Sequence, residues 1–161
     1  MMKELSEAIR LREAGNLTEA NERLVKLAAA YPNDAEVNYQ CAWSFDVLGQ
    51  EAAAVPYYER GIALGLPKKH EEGAYLGLGS TYRTLGNYKK AEQILGRAMK
   101  LFPENNVFPV FYAMVQYNQK EHGKAMRILL RLLAETTSDR DIMEYRKAIA
   151  FYADKLDDVW S

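Results

Sequence analysis

Cys41, His70 and Glu72 are the side chains with which this chain could do covalent or acid–base chemistry. A thiol attacks only as a thiolate with a base beside it, and nothing in the local sequence around Cys41 supplies one. His70 and His122 stand about fifty residues apart, and neither has metal-ligand spacing with Cys41 or with a pair of carboxylates. Glu71-Glu72 and Asp157-Asp158 read as solvated charges near element ends. Gly73, Gly77 and Gly79 lie inside a helical pattern with no strand before them, so they are not a phosphate loop. Gly79 has a packing reason, whereas Gly73 and Gly77 are read as leaving room for a bound backbone. The expectation is a chain without catalytic, metal or cofactor residues, and not an enzyme.

The remaining chemistry is recognition. Leu5 and Ile9, then Tyr39 and Trp43, then Leu76, then Val110, Met114 and Tyr117 recur on one outward helical face, with Arg12, Asp46, Arg83 and Asn118 at its polar margin. Such a face suits a groove that takes an apolar helix or an extended peptide with a few hydrogen-bonding anchors. Self-association through the same face, or through a final helix bearing Trp160, is the alternative.

The elements that must carry this face are legible from periodicity. Gly15, Gly49, Gly86 and the Lys120-Glu121 step mark a bend within each of four copies of a helix-turn-helix unit, spaced by 34, 37 and 34 residues. The longer middle interval is assigned to a loop, GLPKKHEEG. Repeats then run about 1–34, 35–71, 72–105 and 106–139 in a single domain spanning 1–161. Apolar residues at helical spacing, such as Leu11, Ala14, Ala20, Leu24 and Leu27, give each copy a face that a neighbour must cover. Ala8, Ala42, Gly79 and Ala113 keep one position small where paired helices cross, and Pro32, Pro67 and Pro103 stop the second helices. Ser138 and Asp141 form a capping box for a closing helix over about 140–159, striped by Ile142, Tyr145, Ile149, Tyr152, Leu156 and Val159.

Composition narrows the function classes. The 161 residues carry 21 basic and 22 acidic side chains interspersed along the helices, a net charge of -1, which does not suit a polyanion; no nucleic-acid partner is expected. A single cysteine forms no internal disulfide, and no apolar run reaches the roughly 18–20 residues of a membrane span. The first residues, MMKELSEAIRLREAG, are too charged for a signal peptide. A cytoplasmic protein without membrane contact is expected.

Tyr75, Leu78, Gly79, Tyr82, Ala91, Leu95 and Pro103 fall on the W-x2-L-G-x2-Y, A-x3-F and P spacing of tetratricopeptide repeats (TPR), which this chain resembles. YQCAWSFDVLG at 39–49, AVPYYERGIALGL at 54–66, LGLGSTYRTLG at 76–86, LLRLLAETTSD at 129–139 and AIAFYADKLDD at 148–158 resemble the small bacterial family called tetratricopeptide repeat group 5. The resemblance implies an all-α, right-handed α-solenoid of four TPR units plus a C-terminal capping helix. It also implies protein-protein contacts and dimer formation, but names no partner. One subclass grips a C-terminal carboxylate with Lys, Asn and Arg on the first helices. Here those places hold Leu5, Ile9, Gln40, Gly73 and Gly77, so that clamp is absent.

Overall fold

The computed structural model describes residues 1–161 and contains nine α-helices and no strand. They are α1 (Met2–Glu13), α2 (Leu17–Ala30), α3 (Ala35–Asp46), α4 (Glu51–Leu64), α5 (Lys68–Thr84), α6 (Tyr88–Leu101), α7 (Val107–Asn118), α8 (His122–Thr136) and α9 (Arg140–Tyr152). The backbone divides into two compact units, Met1–Ile94 and Leu95–Ser161.

The bends expected between paired helices are present. Gly15, Gly49 and Gly86 adopt φ of +85°, +68° and +76°, and Lys120 adopts +69° in the fourth place. In each, the next residue's N–H returns to a carbonyl in the last helical turn: Asn16 to Leu11, Gln50 to Phe45, Asn87 to Tyr82 and Glu121 to Gln116. These bonds satisfy carbonyls that a helix end otherwise leaves orphaned. Lys120 holds the left-handed conformation despite its Cβ. Lys120→Gly should therefore raise stability by about 0.5–1 kcal/mol, read by thermal unfolding.

In the first unit the core is a seam between helices. Leu5 and Ala8 of α1, Leu24, Leu27 and Ala28 of α2, and Val37 and Cys41 of α3 form one buried cluster, with Ile9, Val25, Phe45 and Tyr57 packed against it. In the second unit, Phe102 stacks on Phe108 at 5.8 Å, and Phe108, Ala113, Val115, Ala125 and Ala153 are buried.

Two boundaries differ from the sequence reading. The three extra residues of the middle interval do not form a loop. Pro67 presets the backbone, the N–H groups of His70 and Glu71 bond to its carbonyl, and α5 begins at Lys68 to become a 17-residue helix. The cap of α9 is Asp139, not Ser138: its carboxylate accepts from the N–H groups of Asp141 and Ile142. That helix ends at Tyr152, where turns begin that carry bonds from Lys155 to Tyr152 and from Asp158 to Lys155, so Leu156 and Val159 lie beyond it.

Candidate functional site

Trp43 sits on α3 with its neighbours Tyr39 and Arg12, and the arrangement is a closed ring of contacts. The guanidinium of Arg12 lies 3.8 Å from the centre of the Trp43 ring, a cation–π contact. Arg12 Nη2 donates to Gln40 Oε1 at 2.8 Å, and Gln40 Nε2 donates to Glu36 Oε1 at 2.7 Å. His70 Nδ1 meets Glu36 Oε2 at 2.5 Å, the His70 ring stacks on Tyr39 at 5.4 Å, and Tyr39 lies 6.0 Å from Trp43. Helices α1, α3 and α5 thus each contribute to fixing one indole. Arg12 is buried, and burial lowers its pKa, opposed by nearby Tyr39, Glu13, Tyr58 and Glu36. Trp43 itself stays 42% exposed.

Beside it, Asp46 ties three helices together. Its carboxylate accepts from the Tyr58 hydroxyl of α4 at 2.6 Å and from the Thr81 hydroxyl of α5 at 3.0 Å. Burial raises the Asp46 pKa, and these two hydrogen bonds pull it back in part. Burial, followed by the Asp46 charge, drives the Tyr58 phenol far above its ordinary value.

The glycines of α5 have an explanation that involves no guest. A Cβ on Gly77 would fall 2.5 Å from Cζ of Tyr58, and one on Gly73 would reach 3.3 Å from Cζ of Tyr39 and closer still to its hydroxyl. The space beside these glycines is filled by tyrosines of the preceding helix pair. The expectation of room for a bound backbone is corrected accordingly.

The structure sorts the expected groove residues. Leu5 and Tyr39 are buried, Leu5 within the core cluster, so neither offers a free surface. Both were expected on the outward face. They turn inward because α3 and α5 lie close enough beside α1 and α3 to cover that side. In the first unit Ile9, Leu76 and Arg83 are half-buried and Trp43 is exposed. In the second unit Val110 and Asn118 are half-buried, whereas Met114 and Tyr117 are exposed. Tyr117 meets the His122 ring edge-on at 4.6 Å.

The candidate chemical residues are accounted for separately. Cys41 is wholly buried and desolvation pushes its thiol up to about 12, which keeps it protonated. His70, expected in a loop, lies in the first turn of α5 and is engaged by Glu36 and Tyr39. Sequence reasoning missed the Arg12–Gln40–Glu36–His70 chain. The repeat spacing gave no signal for it: the interval between these two helix pairs is 37 residues, which sets Glu36 against Gly73, and His70 reaches Glu36 only because the extra residues extend α5 by a turn at its start.

The Tetratrico peptide repeat model TPR_5 matches residues 35–156. The chain belongs to this tetratricopeptide repeat family. No curated protein matches it. Among solved structures, it is similar to a chain in "Crystal structure of APC/C hetero-tetramer Cut9-Hcn1", at 20% identity and TM-score 0.73, over 92% of this chain and 29% of that one. It thus spans under a third of that chain. It is also similar to MamA 41-end from Desulfovibrio magneticus RS-1, at 18% identity and TM-score 0.74, covering 96% of this chain and 89% of that one. A MamA RS-1 ArsTM double mutant matches at 16% identity and TM-score 0.67, over 95% and 93% of the two chains. At these identities the likeness shows the fold: all-α TPR helix pairs with a capping helix. TPR proteins are generally protein-protein interaction modules, and no helix here is long and apolar enough to cross a membrane.

Proposed function

We propose that the protein is a non-catalytic interaction module, its four repeats and capping helix acting as one domain. A partner peptide or helix docks on the outward faces of the first helices. Trp43 serves in the first unit and Met114 with Tyr117 in the second, with Arg83 and Asn118 at the polar margins. One observation carries this reading. Trp43 is exposed while its ring is held by Arg12 and neighboured by Tyr39, so an aromatic anchor is set in place before binding and loses little rotamer freedom on contact. Partners captured from the native host and identified by mass spectrometry should bind Trp43→Ala about tenfold more weakly or worse, as expected for a central aromatic anchor. Unchanged binding of every partner would sink the proposal.

Self-association is a second reading, supported by an exposed aromatic cluster formed by the last turn of α9 and the residues that follow it. Tyr152 meets Phe151 edge-on at 5.2 Å and Trp160 at 5.5 Å. Light scattering across a dilution series separates the two readings, because a dimer weakened by Trp160→Ser favours assembly.

A further inference from the structure

His70 belongs to a turn that the other first helices lack. Helices α1, α3 and α7 have 12 residues each and α5 has 17, and counted back from the bends at Gly15, Gly49, Gly86 and Lys120 the excess lies at its start. From that turn His70 reaches back to α3, where Nδ1 meets Glu36 Oε2 and the ring stacks on Tyr39.

The contact has a direction. A carboxylate only accepts, so the proton between the two groups sits on Nδ1, and His70 holds Oε2 toward α5. Oε1 of Glu36 is left for Gln40 Nε2. An amide has a donor end and an acceptor end, and fastening the donor end to Glu36 turns the acceptor end toward Arg12 Nη2. The reverse orientation would set the amide NH2 against the guanidinium, two donors facing each other where Gln40 is 4% and Arg12 7% exposed. The other contact of Arg12 with this residue, Nη1 to the Gln40 carbonyl, is long at 3.4 Å. The orientation of one buried amide therefore decides whether the guanidinium keeps its seat 3.8 Å from the centre of the Trp43 ring.

We propose that His70 is a positioning residue for the Trp43 anchor, acting through Glu36, Gln40 and Arg12. The first turn of the third repeat thereby sets the binding residue of the second. The proposal rests on the reading of Trp43 as a partner-binding anchor and adds the residue that fixes it. Holding one such side chain in advance of contact corresponds to about twofold to tenfold in affinity.

The chain holds two tryptophans, so Trp160→Phe leaves Trp43 as the single reporter in the full protein. In that background His70→Phe keeps a ring against Tyr39 but removes the donor to Glu36. Acrylamide quenching of Trp43 fluorescence should rise about twofold, as the guanidinium uncovers one of the two indole faces. The double exchange Glu36→Gln with Gln40→Glu is the rescue. A carboxylate at position 40 has no donor end to turn toward Arg12, so the guanidinium stays in place whatever stands at position 70. In the exchanged protein His70→Phe should leave quenching unchanged. No rise in the unexchanged protein, or an equal rise in both, overturns the proposal, the equal rise meaning that His70 acts by packing alone. Partners captured from the native host should bind His70→Phe about twofold to tenfold more weakly, and the loss should vanish in the exchanged protein. Quenching that rises as expected while Trp43→Ala still binds every partner would remove the anchor reading and leave the positioning of the indole intact.

Discussion

Replacing Asp46 by alanine will destabilise the protein by about 2–4 kcal/mol, because two buried hydroxyls lose their acceptor together and each orphaned group costs about 1–3 kcal/mol. Tyr58 and Thr81 reach this carboxylate from α4 and α5, and both are almost wholly excluded from water. For a chain of this length the loss should lower the melting temperature by about 5–15 °C.

The pH dependence has the opposite sign to that of an ion-paired carboxylate. Burial raises the folded pKa of Asp46 above its unfolded value, so the native state holds the proton more tightly. The stability contributed by this ionisation is therefore complete below the unfolded pKa and is lost as pH rises through the raised folded value. The deficit of Asp46→Ala should be larger near pH 4 than at pH 7. Denaturant titrations of both proteins at the two pH values measure it. A deficit that grows toward neutral pH would show that the carboxylate's hydrogen bonds outweigh its desolvation.

Gly77→Ala should also destabilise, although alanine is the better helix former by roughly 1 kcal/mol. The added methyl meets the Tyr58 ring. That ring cannot step aside cheaply, because its hydroxyl is bonded to Asp46 and its body is buried between helices. An overpacking cost of about 3 kcal/mol against that propensity gain leaves a net loss of about 2 kcal/mol. Thermal unfolding reads it directly. A variant more stable than the parent would mean that Tyr58 has a second rotamer available, and the packing account of this glycine would fail.

These two residues show where sequence reasoning stops. Helix pairs, their bends and their crossing positions were legible because each is a local pattern: glycine at a left-handed bend, apolar residues at i, i+3 and i+4, a small residue at a crossing. Even Lys120 could be assigned its bend from spacing alone. Gly73 and Gly77 could not be explained that way, since the tyrosines that fill their space lie on α3 and α4. The outward face of the first helices was located, yet its degree of exposure was not. Leu5 and Tyr39 looked as available as Trp43, but stacking covers the first two and spares the third.

From its residues alone, the chain determines a run of paired helices, because helical period, capping and turn chemistry all act within a few positions. Which of the apolar residues remain for a partner is decided only when one helix pair lies against the next. Burial depends on how closely neighbouring helices approach, and that distance is set by side chains far apart in the chain. Val37 and Cys41 of α3 close over Leu24, which is 0% exposed, whereas Leu129 of α8, an equally apolar residue on a second helix of a pair, stays 39% exposed.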